Sequence, residues 1–222
     1  MYDIIFISYQ EPNAEHRYSI LKQRFPYAKR IHSVKGIHQA HIEAAKISVT
    51  DMFWVVDADA IIVEDFDFSY IPKIEEQEWV HVWHSKNPVN DLTYGYGGVK
   101  LLPRQLTLDM DTSSSDMTTS ISKNLKIMEE VSNITGFNVD EFSTWRSAFR
   151  ECVKLASKTI KGQVDDETNE RLRIWTTVGK DKQFGEYCIK GAIAGMEFGL
   201  SNSSNLYRIN DFDWLKVRFN SN

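Results

Sequence analysis

The stretch MFWVVDADAIIVEDFDF, residues 52–68, contains the feature on which the fold prediction depends. An apolar run ends in Asp57 and Asp59, which stand one residue apart, and apolar residues resume directly after them. Two interpretations fit: the aspartates cap a turn, or they bind a cation. Residues i and i+2 of a strand point to the same side, so the two carboxylates are expected to converge. Converging carboxylates repel each other unless a hard cation such as Mg²⁺ or Mn²⁺ lies between them.

The composition is that of an ordinary globular protein. The 222 residues are 42% hydrophobic and 26% charged, which is enough apolar material for a full core. The formal net charge of −5 argues against a generally basic nucleic-acid-binding protein, but it is compatible with a local basic patch. Cys152 and Cys188 have no CxxC spacing and predict free, mostly buried thiols in a reducing compartment. We therefore expect a cytoplasmic protein with no membrane span.

The first hundred residues alternate between strand and helix patterns. DIIFIS at 3–8 is a continuous apolar run, which is typical of a strand buried on both faces. The elements predicted after it are a helix (13–25), a strand (28–34), a helix (38–48) and a strand broken near the aspartates (52–63). This order predicts an α/β fold with a mostly parallel central sheet flanked by helices. It places the aspartates at the carboxyl end of a strand, where such folds bind ligands.

Two further strands are predicted before the middle of the chain. VHVWHS at 80–85 is one, and the glycine-rich segment YGYGGVKLLP at 94–103 enters the other. The polar stretch at 108–120 predicts a flexible loop.

The pattern then becomes helical. Trp145, Phe149 and Cys152 recur at helical spacing within 140–162, and small residues fill a second helix over 184–198. The spacing of Gly191 and Gly195 predicts close helix packing. We therefore expect one domain with two halves, an α/β half (1–107) and a mainly helical half (108–222).

The order of these motifs resembles a GT-A type glycosyltransferase, family 2-like. DIIFIS, the helix-rich unit after Gly36 and FWVVDADAIIV carry the resemblance, which is strongest from 1 to 104. The later segments VWHSKNPVNDLTYGYGGVKLLP and FGEYCIKGAIAGMEFG are similar to glycosyltransferase-like proteins encoded by tailed phages. The resemblance implies a Rossmann-like GT-A fold, a nucleotide-diphosphate sugar as donor and Mn²⁺ or Mg²⁺ as cofactor. Some phage enzymes of this type modify hydroxymethylated bases in their own DNA, so it also implies DNA as a candidate acceptor.

The resemblance implies a nucleotide pocket at the end of the first strand, lined by Ser8, Tyr9 and Glu11. Tyr9 would stack on the base, and Glu11 would accept hydrogen bonds from the base or ribose. Asp57 would contact both the donor and the metal. An ordinary strand-to-helix loop is the alternative for the first three residues.

A second donor-binding segment is predicted after the second strand. Gly36 and His38 precede or begin a helix, whose N-terminal N–H groups attract anions. His38 and His41 also form an HxxH pair that resembles a metal site, although no other ligand stands in the same segment. A partly exposed helical face is the alternative for both histidines.

The resemblance implies that the acceptor or sugar meets the segment after the aspartates. Trp83 offers an apolar plane for stacking, and Gly97 and Gly98 allow the backbone to approach the ligand closely. His84 would complete the metal shell or contact the diphosphate. The alternative is a hairpin in which the glycines serve the turn and the tryptophan lies in the core.

The catalytic base is predicted among the later acidic residues. Inverting GT-A enzymes use an Asp or Glu to take the proton of the acceptor hydroxyl. Asp181 and Glu186 are preferred over Glu151, and a salt-bridged or helix-capping acid is the alternative for each. No acidic pair marks the base, so the stereochemical outcome stays open.

A basic stripe bears on the acceptor. It recurs every four residues and consists of Arg146, Arg150, Lys154 and Lys158. Such a stripe can follow the phosphates of a nucleic acid, or it can be the solvated side of an amphipathic helix.

The sequence therefore predicts a metal-dependent glycosyltransferase. A nucleotidyltransferase would need a glycine-rich, basic loop after the first strand, where this chain has SYQEPN. A sugar- or DNA-binding module that kept the fold without turnover is the non-enzymatic alternative.

Overall fold

Five elements at the start of the chain follow the predicted order. They are β1 (Asp3–Ser8), α1 (Ala14–Arg24), β2 (Lys29–His32), α2 (Ile37–Ile47) and β3 (Met52–Asp57). β1 pairs in parallel with β2 on one side and with β3 on the other. The predicted βαβαβ unit is therefore confirmed, and the carboxyl ends of its three strands meet at one edge of the sheet.

The computed structural model describes residues 1–95, 97–113, 117–159, 163–201 and 203–221. Three predictions fall partly outside the described residues: the glycine-rich loop at Tyr96, the polar loop at 114–116 and the end of the 140–162 helix at 160–162.

The sheet continues with five more strands in the described chain. They are β4 (Ala60–Ile62), β5 (Val80–Lys86), β6 (Thr93–Tyr94), β7 (Val99–Pro103) and β8 (Leu125–Thr135). The order is β2-β1-β3-β7-β5-β8-β4, and β6 pairs with β5.

The prediction of a mostly parallel sheet is wrong, because this sheet is mixed. β7 lies antiparallel to both β3 and β5, β4 lies antiparallel to β8, and β5 is parallel to β8. The connection from β5 to β7 passes through the short strand β6, which is antiparallel to β5. A short connection favours antiparallel neighbours, whereas a parallel pair needs a crossover of about a dozen residues or more.

The chain forms two compact units. One consists of Met1–Lys86 with Thr93–Thr135, and the other of Asn87–Leu92 with Gly136–Asn222. The first unit therefore extends to Thr135, past the predicted division at residue 107.

The first unit buries apolar side chains on both faces of its sheet. Trp54 and Trp83 lie in one cluster and Phe53 and Val55 in the other, so adjacent residues of β3 serve opposite faces. Two short helices, α3 (Arg104–Leu108) and α4 (Met117–Ile121), complete the unit.

The second unit is helical. Its helices are α5 (Glu141–Ala156), α6 (Asp165–Thr177), α7 (Gly185–Ser201) and α8 (Phe212–Asn220), with a 3-10 segment at Ser203–Asn210.

Helices α5 and α7 pack closely, as the glycine spacing predicts. A Cβ atom on Gly191 would lie 2.3 Å from the Trp145 carbonyl oxygen, and one on Gly195 would lie 2.3 Å from the Phe149 carbonyl oxygen. Cys152 and Cys188 are free and buried, which confirms their predicted state. Among the described residues, no helix has the length and apolar character that crossing a membrane requires.

Candidate functional site

Asp57 is the last residue of β3, and Asp59 lies in the turn that leads to β4. The strand does not continue through both residues, so strand alternation does not set the direction of Asp59. The backbone N–H of Asp57 donates to the Gly98 carbonyl oxygen at 2.9 Å. The fold therefore joins the aspartate motif to the glycine-rich segment, two features that lie far apart in the sequence.

Lys100 is the nearest cation to Asp57. Its Nζ donates to Asp57 Oδ2 at 2.9 Å and also donates to the Gly97 carbonyl oxygen. The side chain of Lys100 is 4% exposed, whereas that of Asp57 is 35% exposed. Lys100 lies on β7, opposite Val55 of β3, which carries its amine towards the end of β3. The ion pair is therefore built into the sheet and reaches solvent only on the carboxylate side.

The environment of Asp57 disfavours its charged form. Although part of the side chain is exposed, burial raises the pKa of Asp57 to about 6. The positive charge of Lys100 opposes this rise, and the negative charges of Asp59 and Glu11 add to it. The three acids are therefore close enough to interact.

Arg17 is the cation that interacts with Asp59. Its Nη1 donates to the Ala58 carbonyl oxygen at 2.9 Å, between the two aspartates. Burial lowers the pKa of Arg17, and the charges of Asp59 and Glu11 oppose that change. Each aspartate of the motif thus has its own basic neighbour, Lys100 from β7 and Arg17 from α1.

The start of α2 carries two histidines, of which His41 interacts electrostatically with Lys100. His41 is 2% exposed, and burial and the charge of Lys100 lower its pKa to about 3. Its Nδ1 lies 2.8 Å from the Ile37 carbonyl oxygen, so Nδ1 carries the hydrogen and Nε2 is an acceptor. Nε2 is buried and has no hydrogen-bond partner among the described residues. His38 is half-buried and interacts electrostatically with His41.

Gly36 precedes α2 with a φ of 94°, in a region that L-residues rarely adopt. A Cβ atom there would meet nothing within 4 Å, so the backbone conformation, not crowding, accounts for the glycine.

Of the predicted nucleotide-binding residues, Ser8 is buried, Glu11 is half-buried and Tyr9 is exposed. Ser8 is 2% exposed, and its hydroxyl accepts from Arg30 Nε at 2.9 Å and lies 2.9 Å from His32 Nδ1. Tyr9 is 41% exposed, and Glu11 Oε2 accepts from the Tyr9 backbone N–H at 2.6 Å. Tyr9 and Glu11 therefore lie where a ligand could reach them, whereas Ser8 supports the end of β1 from within.

The prediction that Trp83 offers a stacking plane is wrong, because its ring is fully buried. The ring centroid lies 4.5 Å from that of Trp54, and Nε1 donates to Glu130 Oε2 at 3.1 Å. The alternative of a core tryptophan applies instead.

Gly98 has a packing role as well as its bond to Asp57. A Cβ atom on Gly98 would lie 2.9 Å from the amide nitrogen of the buried Asn133. Gly97 has a φ of 76°, and its carbonyl oxygen accepts from Lys100. Both glycines therefore hold the Asp57–Lys100 pair in place.

His84 is half-buried on β5. Within the described ranges, no three His, Cys, Asp or Glu side chains are grouped so that they could hold a metal ion. The structure therefore does not join His84 to Asp57 and Asp59 as the predicted metal shell.

The predicted catalytic bases belong to the second unit. Asp181 is exposed in the turn before α7, and Glu186 is exposed in its first turn, 3.7 Å from Lys180 Nζ. Glu151 is half-buried on α5.

The basic stripe is largely engaged within the second unit. The Arg146 guanidinium lies 5.1 Å from the Phe212 ring centroid, Arg150 Nη2 donates to Asn210 at 3.1 Å, and Lys158 lies 2.7 Å from Asp165. These contacts favour a structural role for at least three of the four side chains.

A small apolar pocket lies between α1 and strands β3 and β4. Phe6, Arg17, Leu21, Val56 and Ile62 are among the residues that line it. Asp57 and Asp59 are not among its lining residues.

The donor chemistry of the motif fits a hard cation in part. Asp57 and Asp59 supply carboxylate oxygens, and Mg²⁺ commonly uses one or two carboxylates together with water and substrate phosphates. Lys100 already occupies one Asp57 oxygen, so the protein groups alone make an incomplete site.

No protein-family model matches the chain, and no similar sequence is found among the curated proteins.

Proposed function

We propose that this protein is a nucleotide-sugar-dependent glycosyltransferase. The observation that supports this proposal is the position of Asp57 and Asp59 at the carboxyl end of the parallel strand β3, beside Lys100 and Arg17. Ligands of α/β folds bind outside the carboxyl ends of such strands. The resemblance to GT-A enzymes adds the donor class.

The exposed residues at this edge suit a nucleotide. Tyr9 can stack on a base, and Glu11 and the N-terminus of α2 provide an acceptor and backbone donors. Arg17 can hydrogen-bond a phosphate oxygen, since its guanidinium stands between the motif and α1. Lys100 fixes the orientation of the Asp57 carboxylate.

Asp57 and Asp59 would hold Mn²⁺ or Mg²⁺ together with the diphosphate. When bound, the cation neutralises the charge that develops on the departing nucleoside diphosphate. The acceptor hydroxyl must lose a proton, and Asp181 and Glu186 stay the predicted bases for that step. A hydroxymethylated base of DNA stays the acceptor that the resemblance implies.

A thermal-shift screen tests the proposal. UDP, GDP, ADP, CDP and their sugars are added to the protein with and without Mn²⁺, and a ligand at a hundred times its Kd stabilises by about 2.7 kcal/mol. We expect one nucleotide class to raise the melting temperature, and Asp59→Asn to lose that rise. No response to any nucleotide, with or without metal, would refute the proposal.

A binding module without turnover is the second candidate. It is favoured by the exposure of both predicted bases on the surface of the second unit. Hydrolysis of the bound nucleotide sugar separates the two candidates, since a module would bind the donor without cleaving it.

A further inference from the structure

We propose that Lys100 makes divalent-metal binding at Asp57 and Asp59 depend on the nucleoside diphosphate. The inference rests on the proposed function and adds an order to it: the metal binds weakly alone and tightly with the diphosphate. Lys100 acts through Asp57 and is a positioning residue.

The first reason is the balance of fixed charge. Asp57 and Asp59 contribute two negative charges, and Lys100 and Arg17 contribute two positive ones beside them. Glu11 also interacts with Asp57. The three acids and two bases together therefore carry only one excess negative charge. Lys100 and Arg17 already offset the negative charges of the two aspartates, and both would repel an approaching dication.

The second reason is that Lys100 cannot withdraw into solvent. Its side chain is 4% exposed, and its amine is held by Asp57 and by the Gly97 carbonyl oxygen. A buried ammonium that loses its carboxylate is costly unless other groups replace that interaction. The metal must therefore compete with Lys100 for Asp57.

A diphosphate changes this balance, because its oxygens bring further negative charge and supply metal ligands that the protein lacks. Lys100 keeps the Gly97 carbonyl oxygen as an acceptor when it releases one Asp57 oxygen to the metal.

The coupling is reciprocal, so the metal must strengthen nucleotide binding by the same factor that the nucleotide strengthens metal binding. Mn²⁺ affinity is measured by electron paramagnetic resonance of the free ion, with no nucleotide and with UDP, GDP, ADP or CDP in parallel. For the native protein we expect the effective nucleotide to tighten Mn²⁺ binding about tenfold or more.

Three variants distinguish the role of Lys100. Lys100→Met is expected to bind Mn²⁺ alone about tenfold tighter and to lose most of the coupling, whereas Lys100→Arg keeps both close to native. Lys126→Met is the matched control, because Lys126 pairs with Glu76 at 2.8 Å in the same unit, away from the aspartates. It should leave Mn²⁺ binding unchanged.

The outcomes separate this inference from the proposed function. A native protein that binds Mn²⁺ equally well with and without an effective nucleotide overturns the coupling and leaves the glycosyltransferase proposal intact. The same holds if Lys100→Met folds and gains no Mn²⁺ affinity. If no nucleotide binds under any condition, both proposals fail. Should Lys100→Met not fold, the native measurement and Lys100→Arg still decide the question.

Discussion

Removal of the Asp57 carboxylate is expected to destabilise the protein as well as to impair its site. Asp57→Ala leaves the Lys100 ammonium, 4% exposed, with the Gly97 carbonyl oxygen as its remaining acceptor. Removing one partner of a buried salt bridge typically lowers the free energy of unfolding by about 3–5 kcal/mol. Because Asp57 is itself partly exposed, we expect a loss of about 3 kcal/mol here. For a chain of this length that loss lowers the melting temperature by about 6–12 °C.

The two ends of the pair are not equivalent. Lys100→Met leaves the Asp57 carboxylate without this partner, but 35% of the Asp57 side chain is exposed. We therefore expect the free energy of unfolding to fall by only about 1 kcal/mol. The double variant Asp57→Ala/Lys100→Met removes both charges and should be more stable than Asp57→Ala alone, because no unpaired charge stays buried.

Thermal unfolding followed by circular dichroism measures all three variants, with the exposed Asp65→Ala as control. The control should leave the melting temperature unchanged. The reasoning is refuted if Asp57→Ala melts within about 1 °C of the native protein, or if the double variant is less stable than Asp57→Ala.

Three further predictions concern other parts of the chain. Gly195→Ala should destabilise the second unit by about 1–3 kcal/mol, since the added Cβ would meet the Phe149 backbone. Lys190→Ala, on the exposed side of α7, is the control and should not destabilise it. Urea unfolding compares the two variants. His41 has a folded-state pKa of about 3 against 6.5, so its contribution to stability is present above pH 6.5 and is lost as the pH falls towards 3. His41→Leu should therefore flatten the fall in unfolding free energy over that range, and an unchanged slope would contradict the burial of the ring. Burial raises the pKa of Cys188 to about 12 and also raises that of Cys152, so both thiols should react with Ellman's reagent at pH 8 only after unfolding.

The start of the chain could be predicted because its signals are local. The apolar run of β1, the turn at Gly36 and the apolar run before Asp57 each lie within a few residues of the structure they specify. Parallel order follows from the helices between the strands, because a crossover of that length returns the chain in the same direction.

The later strands could not be predicted in the same way. β8 contains only exposed and half-buried residues from Leu125 to Val131 and carries Glu129 and Glu130, so its sequence lacks a continuous apolar run. Its pairing with β5 and β4 depends on neighbours far away in the chain. Trp83 shows the same limit, because an aromatic residue on a strand fits a core and a stacking surface equally well.

Lys100 is a residue of the candidate site that the sequence prediction did not include. A single lysine inside the apolar run VKLLP is a usable signal, since a buried cation in a strand needs an acidic partner. What the sequence could not indicate is which acid that partner is.

By itself, the sequence determined the first parallel strands, the glycine-mediated packing of two helices and the position of Asp57 at a strand end, because these depend on neighbouring residues or on helical spacing. Only the tertiary structure decided that the sheet is mixed and that Trp83 lies in the core. It also decided that Asp57 meets a lysine 43 residues away. The physical reason is that charge pairing and burial depend on distances in space, and β7 comes next to β3 only when the whole sheet has formed.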